Sequence, residues 1–101
     1  MSEQEILIQD ICSTLIDCTP EHWYSAVLYL NRSETGIEHQ IESNEGHSDI
    51  VSPSSELFIA TRKFELFLTS KSEMFQTAKF SIWLNDLDQW QFKSDFTYEN
   101  T

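Results

Sequence analysis

Apolar side chains recur along this chain with two periods, and the order in which the periods alternate leaves few folds open to it. At 37–43, Ile-Glu-His-Gln-Ile-Glu-Ser, Ile37, His39 and Ile41 fall on one side and Glu38, Gln40 and Glu42 on the other. Strict alternation of this kind marks a strand with one buried face and one wet face. The stretch Trp-Gln-Phe-Lys-Ser-Asp-Phe-Thr-Tyr-Glu-Asn at 90–100 alternates in the same way. Trp90, Phe92, Ser94, Phe96 and Tyr98 form its aromatic side, and Gln91, Lys93, Asp95, Thr97 and Glu99 its polar, acid-leaning side. Within 74–84, Phe80, Ile82 and Leu84 alternate with Lys79, Ser81 and Trp83. Residues 23–31 are rich in β-formers and apolar on both sets, with Ala26, Leu28 and Leu30 opposite Val27 and Tyr29.

Two segments follow the helical period instead. Ser2-x-x-Glu5 is a capping box, and Ile6, Leu7, Ile8, Ile11, Leu15 and Ile16 follow it, which predicts a helix over 3–18. Ser52 and Pro53 suit a cap and a first helical position. Leu57, Ala60, Phe64, Phe67 and Leu68 then make one stripe, which predicts a helix from Pro53 to about Ser70. The order α-β-β-α-β-β, with a turn at Gly36, predicts a two-layer α+β fold: a four-stranded antiparallel sheet with two helices packed on one face. At 101 residues this is one domain, 1–101. Phe92, Phe96 and Tyr98 are then expected to fill the gap between sheet and helices.

Charge narrows the partners. The chain carries 17 acidic and 6 basic residues, a formal net charge of -11. Direct binding to nucleic acid or to an anionic membrane is disfavoured, because both need Lys and Arg to replace counterions. The acids are also segregated. Glu34, Glu38, Glu42, Glu45, Asp49 and Glu56 fall in 33–61 without one Lys or Arg, and 1–31 likewise has no Lys or Arg. A surface built only for solubility intersperses the signs. A cationic protein partner is the expectation, drawn in by the field.

Chemistry is sparse. His22, His39 and His47 match no zinc spacing, and Cys12 and Cys18 form no C-x-x-C pair, so no metal and no cofactor are expected. His39, on an apolar strand face, reads as a hydrogen-bonded core histidine. Asp86 and Asp88 read as turn residues. With only Gly36 and Gly46, no phosphate-cradling loop is available. The expectation is a binding protein rather than an enzyme. Cys12 and Cys18, on one helix, are too far apart for a bridge. Reduced thiols and the lack of a signal-like leader or a spanning apolar run predict a cytoplasmic protein.

Three stretches carry a family resemblance: Thr-Pro-Glu-His-Trp-Tyr-Ser-Ala-Val-Leu-Tyr-Leu at 19–30, Phe-Glu-Leu-Phe-Leu-Thr-Ser-Lys-Ser-Glu-Met-Phe-Gln-Thr-Ala-Lys-Phe-Ser-Ile-Trp-Leu at 64–84, and the stretch at 90–100. In this order the chain resembles the YezG-like immunity (antitoxin) proteins of bacterial polymorphic and contact-dependent toxin systems. The resemblance implies a non-catalytic cytosolic protein that binds and neutralises a cognate toxin domain, often a nuclease.

Taken with the charge, these readings predict a toxin-binding surface of two sets. Glu38, Glu42, Glu45 and Asp49 form one acidic run. Trp83, Asp95 and Glu99 lie on the sheet face away from the helices, with Trp83 as a desolvated anchor. A monomer or weak homodimer is expected. The competing expectation is a non-enzymatic adaptor that homodimerises through the exposed sheet face and Trp83.

Overall fold

The computed structural model describes residues 2–98 of the chain. Helix α1 (Glu3–Cys18) begins where the Ser2 hydroxyl accepts the Glu5 N–H. Strands β1 (Ser25–Ser33) and β2 (Gly36–Glu42) form a hairpin. Gly36, at φ +136, supplies backbone freedom that other residues lack. Helix α2 (Ser55–Ser70) follows, then β3 (Thr77–Leu84) and β4 (Trp90–Thr97). The two helices and the four-stranded antiparallel sheet make the expected α+β fold, with strand order β2-β1-β3-β4. Strands β1 and β3 are central, and α2 carries the chain across β1 from one edge to β3.

Direct partners across the ladders share a face. Leu28 lies between Ile41 and Phe80, and Ala26 beside Ile82, which pairs in turn with Phe92. Against this face pack Ile8, Ile11, Cys12 and Leu15 of α1 and Leu57, Ala60, Phe64 and Leu68 of α2. Both helices therefore cover the same side. Phe64 is the hub, with ring centroids of Phe75, Phe80 and Phe96 at 6.3, 6.1 and 5.9 Å.

Three local expectations are corrected. The cap of α2 is Ser54, whose hydroxyl accepts the Leu57 N–H at 3.1 Å; Ser52 and Pro53 lie before the helix. The stripe starts at Leu57, three residues after Ser54, which is the spacing a cap needs. Phe92 is 43% exposed and Tyr98 58%, so of the three aromatics only Phe96 joins the core. Alternation reports which face a side chain takes, not whether anything covers it. Strand β4 is an edge, and Phe92 lines an open groove beside α1 with Ile6, Ile16 and Trp90. Tyr98 lies beyond the last paired residue, Thr97. Third, the strands of 23–31 and 74–84 begin later, at Ser25 and Thr77; Trp23 and Phe75 are buried as loop anchors instead.

Among the described residues no helix is long and apolar enough to cross a membrane.

Candidate functional site

Among the described residues no helix or strand packs on the sheet face away from the helices; the ladder register fixes which side chains lie on it, and Val27 among them is buried. Across the strands run three rows: Glu42, Val27, Ser81, Lys93; then Gln40, Tyr29, Lys79, Asp95; then Glu38, Asn31, Thr77, Thr97. Trp83 lies at one end, between Ser25 and Gln91, and is 40% exposed. Four of the expected residues, Glu38, Glu42, Trp83 and Asp95, thus share one surface. Glu99 lies outside the described residues.

The charges on this face are sorted by strand. Glu38 and Glu42 sit on edge strand β2, with Gln40 between them donating to Glu42. Neither has an ion-pair partner among the described residues. The Lys79 ammonium lies over the Tyr29 ring, 5.9 Å from its centroid. Lys93 faces Asp95 at 3.8 Å, an exposed pair of little energetic weight. One edge of the face is acidic with an aromatic beside it, and the other is mixed.

Glu45 and Asp49 are placed differently. Both lie in the loop 43–54 between β2 and α2, and both carboxylates turn onto the α1–β1 connection. A Glu45 oxygen accepts the backbone N–H groups of Tyr24 and Ser25, at 2.8 and 3.1 Å. Asp49 accepts from the indole of buried Trp23 at 3.1 Å and lies 2.9 Å from His22 Nε2. These bonds, the indole first and the imidazole second, hold the Asp49 carboxyl below the usual carboxylate range. His47 stacks on Trp23 with centroids 5.8 Å apart, meets His22 edge-on at 5.0 Å, and approaches Glu45 at 3.6 Å.

The acidic run that reads as continuous in sequence is therefore two structures. Glu38 and Glu42 face solvent from the sheet, whereas Glu45 and Asp49 tie a loop to its neighbour. The gathering of His22, Trp23, His47 and Asp49 has no signature in spacing, since His22 and Asp49 are 27 positions apart on separate loops. Only the closeness of two loops at one end of the sheet brings them together.

His39 is a packed strand histidine, as its position on an apolar face predicts. Its Nδ1 lies 3.2 Å from the Ile37 carbonyl and its Nε2 2.8 Å from the Thr61 hydroxyl. A neutral ring that donates from Nδ1–H to Ile37 accepts at Nε2 only if the Thr61 hydroxyl turns its single hydrogen away from the Phe58 carbonyl, 3.1 Å from it. Burial lowers its pKa from the ordinary histidine value. Cys12 is buried in the core, and burial pushes its thiol up to about 12, which leaves almost no thiolate near neutral pH.

No protein-family model matches this chain, and no curated protein matches it.

Proposed function

We propose that this chain is an immunity-type protein that binds a cationic toxin domain of the nuclease class and neutralises it, without chemistry of its own. The observation that carries the reading is the placement of Glu38 and Glu42. Both are exposed on the sheet face away from the helices, at an edge where their ladder partners are Asn31 and Val27 rather than Lys or Arg, beside Tyr29 on the neighbouring strand. A nuclease site holds its substrate with basic groups, and an acidic face competes for those groups. Its field accelerates encounter. A mismatched toxin leaves carboxylates desolvated and unpaired, which supplies discrimination. Trp83 and Tyr29 provide the apolar part of such a surface. The net charge of -11 and the family resemblance support the same reading, under which the protein acts in the cytoplasm of a competing bacterium.

The test asks first whether a large secreted protein is encoded immediately upstream of this gene, and takes the C-terminal domain of such a protein as the expected partner. Wild-type protein binds that domain quickly, with a rate that falls as salt rises. The double variant Glu38→Lys, Glu42→Lys associates at least tenfold more slowly and with a flatter salt dependence. Equal protection of a susceptible strain by the variant places the surface elsewhere.

A second reading has one observation in its favour. Trp83 is large, 40% exposed and on a face without a covering layer, as in a module that homodimerises through its sheet. Light scattering separates the two: a stable dimer at low concentration that ignores the cationic domain supports the adaptor.

A further inference from the structure

Three polar side chains at one end of the molecule converge without any need of the sheet face. Ligand atoms of His22, His47 and Asp49 all lie within 4.8 Å of one another. Two of the groups are imidazoles and the third is a carboxylate.

We propose that His22, His47 and Asp49 form a binding site for a divalent transition-metal ion of the zinc class, with the remaining coordination position open to water. The donor set selects the ion. Imidazole nitrogen favours Zn²⁺ and its neighbours over Mg²⁺ and Ca²⁺, which demand oxygen. Three protein ligands plus one exchangeable position is a common zinc arrangement. Metal–ligand bonds of about 2.0–2.2 Å place tetrahedral donors about 3.3 Å apart. His22 and Asp49 already stand at 2.9 Å, and the third group lies within 4.8 Å. Partly exposed side chains at the surface have the rotamer freedom to close that difference.

The surroundings are built as support for such ligands. Trp23, fully buried, donates its indole N–H to Asp49 and lies flat against the His47 ring, so one anchored residue orients two of the three donors. Glu45 is itself held by two backbone N–H groups and approaches His47, the kind of carboxylate that fixes a ligand imidazole. Gly46, at φ +79, makes the turn that returns His47 toward the α1–β1 connection. The loop 43–54 has no helix or strand of its own. An ion here ties this loop to the α1–β1 connection. No charge changes on the protein except release of any imidazole proton that the ion displaces.

The full chain, stripped with chelator, is titrated with Zn²⁺ by calorimetry and with Co²⁺ by visible absorption. Expected are one saturable site per chain, d–d bands without thiolate charge transfer, and a rise in melting temperature with Zn²⁺. His22→Ala, His47→Ala and Asp49→Ala each weaken binding at least tenfold, while His39→Gln leaves it unchanged. His22 is exposed, so its variant keeps the fold, which far-ultraviolet dichroism checks. Non-saturating binding shared by every variant overturns the site, as does thiolate charge transfer, which moves the ion to a cysteine.

Discussion

The indole N–H of Trp23 donates to a carboxylate oxygen of Asp49 at 3.1 Å, and this contact joins the start of the sheet to the loop that leads into α2. A buried indole needs an acceptor. Asp49→Ala removes it and lowers the urea midpoint, whereas Asp49→Asn retains a carbonyl acceptor and loses less. Combining Asp49→Ala with Trp23→Phe in a double-mutant cycle gives a coupling well above measurement error. Additive losses show that the contact carries no stability.

The cap of α2 tests where that helix starts. Ser54→Ala removes an acceptor for the Leu57 N–H and for the Cys18 thiol, and costs about 1 kcal/mol in chemical denaturation. Ser52→Ala stays within about 0.5 kcal/mol of wild type. The reverse order moves the cap back to Ser52.

Phe64 and Phe92 look equivalent as aromatic positions in the sequence and are not equivalent in the fold. Phe64 is fully buried among Phe75, Phe80 and Phe96, and Phe64→Ala costs about 3–5 kcal/mol. Phe92, open on the groove side of β4, costs below about 1.5 kcal/mol on the same change. Similar losses at both positions require something covering Phe92.

His39 gives stability a pH dependence of defined sign. Its folded pKa is lowered, so between that value and the ordinary one, about 6.5, the unfolded chain binds more protons than the folded chain. Its contribution is present above about 6.5 and is lost as pH falls toward the folded value. Subtracting the stability–pH curve of His39→Gln from that of wild type isolates this slope. A flat difference curve excludes the neutral, half-buried ring as its source.

Much of the layout is legible along the chain because it depends on local periods. The 3.6-residue stripe of α1, the capping box at Ser2 and the alternation of Ile37, His39 and Ile41 each report a face and an element. The bounds 3–18 for α1 are recovered by those signals alone. Signals shared between serines two positions apart are weaker: Ser52 and Ser54 both suit a cap, and only the phase of Leu57 decides between them. Within the candidate surface, alternation places Glu38, Glu42, Trp83 and Asp95 on the outward set, and the register confirms the placement. It cannot separate Glu42 from Glu45, because the strand ends at Glu42 and the period ends with it.

By itself, then, the sequence determined the element order, the faces of the strands and the surplus of negative charge, since each follows from side-chain spacing or from counting ionisable groups. The tertiary structure alone decided the strand order β2-β1-β3-β4, the exposure of Phe92 at an edge, and the meeting of His22, His47 and Asp49. Those features depend on which distant segments become neighbours. That choice is made by the packing of both helices on one sheet face, and no local period encodes it.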